Sequence, residues 1–374
     1  MITIQIMSLD GKQNRVESLD LLRGLIMVLM VIDHVRVYSG IPAGGPEPAI
    51  FFTRWVTHFC APGFAFLAGT AAFFHGIKLG SPSALSKYLL TRGLMLVIFE
   101  ITIVRLGWTF NLNLGDFMLA GIMWMLGWSM ILLGVVVRLN SKAIGIIGLC
   151  IIFFQQLFVY VSPILPDVLK AYWEFIYTSG ADNPGWIAIL YVIVPWVGVM
   201  MAGYGFGNIM SMDQSKRDRL CYIIGLTSIL VFIIVGSYYA LKTEEQAPFI
   251  QLLLNQKKYP ASQLYLMMTL GPLVALIPFA EKARGAIADF FKLLGRVPFF
   301  YYLAHLPIIH LSAFVINYFL FGSIHQEWYL YAPFAQVPPE NVWGLGWLYF
   351  VFVVDVTILY LLSKWYSTRK IKFI

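Results

Sequence analysis

The sequence predicts an all-α, polytopic membrane protein: a bundle of about ten transmembrane helices with both termini in the cytoplasm. Three observations carry that reading. Of 374 residues, 59% are hydrophobic and only 12% charged, with a mean hydropathy of +0.76, whereas soluble domains are roughly a quarter charged. Apolar windows of about 18 residues or more recur along the whole length and leave no room for a soluble domain. The Lys and Arg residues gather in alternate connections. With the N-terminus inside, 18 of them fall on the cytoplasmic side and only Lys170, Lys242, Lys257 and Lys258 outside, the asymmetry that sets orientation. The net charge of +7 is therefore topogenic, and a nucleic-acid-binding reading is set aside.

The first span, 18–39, follows a mostly polar cytoplasmic segment, 1–17, and charges interrupt its apolar run. That marks a retained signal-anchor rather than a cleaved leader. The turn "GIPAGGPEP" separates it from the second span, 50–77, which ends at Lys78. The third, 87–108, opens with Lys87 and Arg92; the fourth, 115–138, begins after "NLNLGD" and stops at Arg138. Lys142 opens the fifth, 142–161, which "SPILPD" closes, and "ADNPG" precedes the sixth, 185–210. Lys216, Arg217 and Arg219 lead into the seventh, 219–241. The eighth, 261–281, closes at Lys282, and a basic connection leads to the ninth, 298–321. "APFAQVPPE" precedes the tenth, 342–365. Pro and Gly punctuate these turns as helix breakers do. Residues 18–366 form a single transmembrane domain, and the basic tail, 367–374, is cytoplasmic. Cys60, Cys150 and Cys221 all lie in spans, an odd and scattered set that gives neither a disulfide framework nor metal-ligand spacing.

Charges at membrane depth are expensive, so those that occur face a partner or a wet cavity. Arg23 and His34 stand 11 positions apart in the first span. This is three helical turns, so both lie on one face with about 16 Å of rise between them. Arg23 is near the inner end, beside Asp20; His34 is in the outer third, beside Asp33 and Arg36. Arg54 and His58 share a face of the second span, Glu100 and Arg105 close the third, and Asp116 opens the fourth. The outer halves of these spans are expected to form a polar pocket. Asp20–Arg23, Asp33–Arg36 and Glu100–Arg105 also fit as structural pairs at the rim, and His305, beside Tyr301 and Tyr302, fits as a packing histidine. His34 stands apart because several polar groups converge on it. A neutral histidine can act as general base or nucleophile, oriented by Asp33, Asp116 or Glu100. Arginines in the outer pocket suit an anionic or polyhydroxylated acceptor, and basic residues at the inner mouth (Arg23, Lys87, Arg92, Arg296) suit a phosphorylated donor.

"SLDLLRG", followed after ten residues by His34, resembles the Arg-x10-His signature of membrane acyltransferase family 3. More of the chain resembles the bacterial relatives of heparan-α-glucosaminide N-acetyltransferase. The stretches that carry it are "LDLLRGLIMVLMVIDHVR", "FFTRWVTHFCAPGFAFLAGTAAF", "LTRGLMLVIFEITIVR", "DFMLAGIMWMLGWSMILL", "YPASQLYLMMTLGP" and "LGRVPFFYYLAHLPIIH", which cover most of residues 16–320. The resemblance implies a bundle of ten or eleven helices that binds acyl-CoA, usually acetyl-CoA, from the cytoplasm and transfers its acyl group to an amine or hydroxyl on the far side. Arg23 maps to the donor-positioning arginine, and His34 to the histidine that acts as base or acyl carrier. The chain departs from the heparan-acetylating relatives in two places. The connection "SGIPAGGPEPAIFFT" lacks the catalytic histidine those relatives carry there, and His58 stands where they have an Asp four residues before the proline.

The leading expectation is therefore a multi-pass acyltransferase of the inner (plasma) membrane. It would move an acetyl or short acyl group from cytoplasmic acyl-CoA to a carbohydrate-like acceptor at the outer face. His34, Asp33, His58 and Asp116 form its expected catalytic set. Arg23, Arg92, Arg296 and His305 are assigned to the donor, and Arg54, Glu100 and Arg105 to the acceptor. The bilayer, acyl-CoA and the acceptor are the expected partners; neither a metal nor a nucleic acid is expected, and the oligomeric state is open. The alternative is a proton-coupled secondary transporter of a small polar solute, although no internal repeat of the kind common in such proteins is visible.

Overall fold

The computed structural model describes residues 16–44, 47–113, 115–116, 118–177, 187–331 and 336–370, without the side chains of residues 171 and 370. The segment up to residue 15, expected in the cytoplasm, the expected turn at 181–185, most of "APFAQ" and the last four residues of the tail lie outside the described residues. The described chain is largely helical, with almost no sheet. Its elements run α1 Glu17–Tyr38, α2 Pro48–Trp55, α3 Cys60–Leu79, α4 Pro82–Phe99, a π-helical turn Glu100–Val104, α5 Arg105–Thr109, β1 Met118–Ala120, α6 Ile122–Val136, α7 Ser141–Phe154 and α8 Asp167–Ile176. There follow β2 Ile187–Ile189, α9 Trp196–Met210, α10 Gln214–Lys242, α11 Phe249–Leu254, α12 Gln263–Ala275, α13 Ile277–Lys282, α14 Ala286–Gly295, α15 Pro298–Phe321 and α16 Leu345–Lys370.

Six of the expected spans coincide with helices long and apolar enough to cross a membrane: Pro48–Leu79, Ser141–Tyr160, Gln214–Lys242, Gln263–Lys282, Pro298–Phe321 and Leu345–Arg369. The other four depart from that standard, each for a visible reason. Too many charges interrupt α1. The α4 helix carries Lys87 and Arg92, and at Glu100 it widens into the π turn. The α6 and α9 helices have 15 residues each, so they are about 22 Å long against a hydrocarbon core of about 30 Å. What precedes them is extended chain. The fourth expected span begins as β1 and the sixth as β2, and the two strands pair in parallel with Leu119 opposite Ala188. Such backbone is tolerated at membrane depth where its amides are paired and it borders a cavity. Three helices were not expected, α8, α11 and α14, and α16 runs on to Lys370, through the boundary placed at 367.

The apolar core surrounds α1, which touches α3, α13, α14, α15 and α16 and buries Leu22, Ile26, Met27, Met30, Val31 and Val35. This helix is charged because it faces protein on nearly every side. Close approach of backbones holds the bundle together. A Cβ on Gly24 would stand 1.9 Å from the Phe291 carbonyl oxygen, and one on Gly295 would stand 1.8 Å from that of Asp20. The α1–α14 contact therefore admits no side chain at either position. Small residues at helix crossings do the same work in other membrane bundles, where no hydrophobic driving force separates helix from lipid.

Candidate active site

His34 lies on the buried stripe of α1, and α15 presents a matching one, Tyr301, His305, Ile309 and Ala313, at four-residue spacing. The two stripes meet at the histidines. His34 Nδ1 is 2.7 Å from His305 Nε2, and the rings stack with centroids 4.9 Å apart. His305 Nδ1 is 2.5 Å from the Tyr302 carbonyl oxygen. A carbonyl only accepts, so His305 donates from Nδ1, and the Nε2 of the neutral ring is left as an acceptor. His34 then donates from Nδ1, which leaves its own Nε2 as a lone pair. That atom has no hydrogen-bond partner among the described residues. Trp108 packs edge-on against the same ring, with centroids 4.7 Å apart.

His34 lines a cavity of about 210 Å³. Its wall includes Asp33 and Arg36 of α1, Arg54, Glu100, Tyr191 and Lys258, with Cys60, Trp108, Leu119 of β1, Tyr259 and Tyr302. Ala43 and Arg54 also line a second cavity of about 270 Å³, formed with His58, Glu245 and Gln251. Arg54 thus borders both cavities, the first being the chamber and the second the vestibule.

The charged residues of the wall are fixed in different ways. Asp33 accepts from Arg36 Nε and Nη2 at 3.2 and 3.0 Å, and Arg36 also donates to the Ile41 carbonyl at 2.9 Å. Asp33 therefore serves Arg36 and does not orient His34. Glu100, 1% exposed, accepts from the Met123 and Trp124 amides at 2.8 and 3.3 Å. A carboxylate there satisfies the free N–H groups and the positive dipole end at the start of α6. Lys258 is buried in the connection between α11 and α12, with its ammonium 5.3 Å from the Tyr259 ring centroid and 5.8 Å from that of Tyr191. Burial works against its charge, yet the Tyr259 phenol and the Asp33 carboxylate outweigh it and raise its pKa above the ordinary lysine value. Cation–π contact with both rings favours the charged form further.

The remaining expected residues lie elsewhere. His58 Nδ1 donates to the Arg54 carbonyl at 3.2 Å, and its ring borders the outer vestibule. Arg105, fully buried, donates to the carbonyls of Asn111 at 2.6 Å and of Asn113. Asp116 accepts from the Asn111 and Asn113 amides at 2.9 and 2.7 Å. Those two residues thus hold the loop between α5 and β1, and neither lines the inner cavity. At the other end of α1, Arg23 donates to Asp20 at 3.1 Å and to the Gly295 carbonyl at 3.2 Å. Arg296 lies 3.8 Å from Glu17. Arg23 and Arg296 are therefore neighbours, whereas Arg92 is exposed on α4 over Tyr88, and His305, expected with the donor residues, joins His34 instead. Lys258, Tyr191 and Tyr259 were not expected in the site. The "KKYP" preceding an apolar run is the only sequence signal for Lys258 and Tyr259, and Tyr191 has none. Among the described residues, no group of three His, Cys, Asp or Glu side chains is placed to hold a metal ion.

A family model described as heparan-alpha-glucosaminide N-acetyltransferase, catalytic, matches residues 15–242. The chain belongs to this family. No match was found among curated proteins. The matched region of this heparan-alpha-glucosaminide N-acetyltransferase-like chain contains His34, Arg54 and Glu100. It ends before Lys258 and His305, so half of the histidine pair lies beyond it. Together with its apolar helices, the family match makes the chain a membrane protein of acetyltransferase type.

Proposed function

We propose that this protein is an acetyl-CoA-dependent acetyltransferase whose acceptor, a sugar-like hydroxyl or amine, reacts in the chamber bordered by His34. One observation carries the reading: the hydrogen-bond chain from His34 through His305 to the Tyr302 carbonyl leaves the His34 Nε2 lone pair on the ring that borders the chamber. A base held by a second buried group whose own proton is fixed is the arrangement that general-base catalysis requires.

In the proposed reaction, His34 Nε2 takes the proton of the acceptor as its oxygen or nitrogen attacks the thioester carbonyl. The tetrahedral intermediate collapses, the carbon–sulfur bond breaks, and the thiolate recovers that proton from His34. In a two-step variant, Nε2 itself attacks the thioester, the carbon–sulfur bond breaks and the thiolate leaves; the acceptor then attacks the acetyl-imidazole, the carbon–nitrogen bond to Nε2 breaks, and the acceptor's proton goes to the thiolate. Arg23 and Arg296 would hold the donor phosphates at the far end of α1, and the thioester arm would span the ~16 Å of helix rise between Arg23 and His34. In the proposed topology that far end faces the cytoplasm of an inner (plasma) membrane and the chamber faces outward. Arg54 and Lys258 would contact the acceptor, and Glu100 would shape the chamber by fixing the start of α6.

The decisive experiment is acetyl-CoA binding and thiol release by purified protein, wild type against Arg23→Ala and His34→Ala. Arg23→Ala is expected to weaken binding, and His34→Ala to retain binding while losing turnover. A wild-type protein that binds no acetyl-CoA would sink the donor half of the proposal.

A further inference from the structure

Counting charge around the inner chamber leaves an excess of one sign. Arg36 and Asp33 cancel each other through two hydrogen bonds. Glu100 is turned onto the α6 amides and makes no ion pair with a chamber cation among the described residues. Two cations remain. Lys258 is only 9% exposed, lines the chamber, and has no carboxylate within ion-pair distance among the described residues. Arg54 lines both chamber and vestibule, and its guanidinium likewise has no hydrogen bond or ion pair among the described residues. Glu245 belongs to the vestibule wall, and among the described residues it makes no ion pair with Arg54. Asp33 attracts the Lys258 ammonium from beyond ion-pair distance, and a buried ammonium with no carboxylate directly against it is costly unless something anionic completes its shell.

Building on the acetyltransferase reading, we infer that Lys258 and Arg54 form an oxyanion-binding site and that the acceptor carries an acidic group, a carboxylate or a phosphate ester, beside the hydroxyl or amine that is acetylated. Lys258 and His34 border the same chamber, so a single small acceptor can meet both the cation and the base. At about 210 Å³, the chamber is smaller than the roughly 300–1,000 Å³ pockets that take drug-sized ligands. It suits one sugar-sized unit, and the vestibule beyond Arg54 takes whatever continues from it. An ammonium and a guanidinium are the usual pair for such a group, the one a point charge and the other a planar fork.

The test uses full-length protein in detergent, with glucuronate and glucose 6-phosphate as acidic probes, glucose as the neutral probe, and acetyl-CoA as a control. Binding is followed by quenching of tryptophan fluorescence, since Trp108 and Trp55 line the two cavities. At least one acidic probe is expected to bind about tenfold or more tightly than glucose. Lys258→Met and Arg54→Gln are each expected to erase most of that preference and leave acetyl-CoA affinity unchanged, with Lys258→Arg restoring part of it. Equal binding of acidic and neutral probes by the wild type overturns the inference, as does an unchanged preference in both neutral variants. Weaker acetyl-CoA binding in those variants, with the sugar preference intact, would assign the cations to the donor and also overturn it. Thermal melting of each variant identifies any that fails to fold, and Lys258→Arg with Arg54→Lys then carries the comparison. Loss of acetyl-CoA turnover alone would count against the acetyltransferase reading and leave this binding result standing.

Discussion

His34 and His305 are 271 positions apart in sequence and share one hydrogen bond of 2.7 Å in the middle of the bundle. Two imidazolium rings cannot make that contact, because both facing nitrogens would be donors. The pair therefore holds at most one extra proton, as a site that passes a proton out and back requires. The Tyr302 carbonyl fixes which nitrogen of His305 is protonated and so decides which nitrogen of His34 is bare.

The first prediction separates the two histidines. His34→Ala is expected to lower the acetyl-transfer rate by roughly 10²–10⁴-fold, the usual contribution of a general base, with acetyl-CoA affinity retained. His305→Leu removes the group that orients His34 without touching the reacting atoms. It is expected to lower kcat by a smaller factor and leave the KM for acetyl-CoA near wild type. Steady-state kinetics on both variants check this. Equal rates in His34→Ala and wild type would remove His34 from the chemistry.

The second concerns the opposite end of α1. Arg23 donates to Asp20 and to the Gly295 carbonyl, which fix its guanidinium at the end of α1 where the donor is proposed to bind. Arg23→Gln is expected to raise the KM for acetyl-CoA about tenfold or more with little change in kcat, whereas Arg92→Gln is expected to change neither. Arg92 lies exposed on α4 and far along the chain from Gly295. A matching loss in both variants would point to general surface charge and away from a donor site.

Much of this architecture is legible in the sequence because lipid imposes length and hydropathy on each helix. Spans that face lipid, such as α10 and α16, follow that rule and are found within a few residues. The α6 and α9 helices break it: protein encloses their beginnings, where paired strands replace a helical turn, and hydropathy does not register the change. In the site, His34 is legible because a neighbouring carboxylate, a face shared with Arg23 and further polar residues converge on it in the local sequence pattern. His305 read as packing because its partner comes from a helix 271 residues away, a pairing no local pattern encodes. Lys258 read as loop charge for the same reason. Nothing in "KKYP" says that Lys258 is buried against Tyr191 and Tyr259 in the chamber wall.

The third prediction tests the close packing that positions α1. Gly24→Val places a side chain where the Phe291 carbonyl already stands. Overpacking costs typically about 1–3 kcal/mol and sometimes more, and here the clash is with backbone that cannot rotate away. The expected result is a marked fall in the melting temperature of the detergent-solubilised protein, with loss of acetyl-CoA binding because α14 carries Gly295 next to Arg296. Gly80→Ala serves as a control: nothing lies within 4 Å of its Cβ position, although its φ of +62° adds some strain. A Gly24→Val protein as stable as wild type would show that α1 and α14 are not in this contact.

The last prediction concerns orientation, on which the direction of transfer depends. Lys and Arg crowd the end of the bundle where α1 begins, so that end is expected to face the cytoplasm, with the vestibule of Arg54 and His58 facing out. Single cysteines distinguish the two sides. Lys170→Cys, on the exposed and amphipathic α8, is expected to react in intact cells with a maleimide that cannot cross membranes. Arg138→Cys, at the opposite end between α6 and α7, is expected to react only after the cells are opened. A background lacking Cys60, Cys150 and Cys221 keeps the native thiols from obscuring the readout, and two of these are buried in any case. The reverse pattern would invert the protein and place the His34 chamber on the cytoplasmic side. Donor and acceptor would then approach from sides opposite to those proposed, although the chemistry at His34 could stay the same. The labelling result therefore tests the direction of transfer independently of whether transfer occurs.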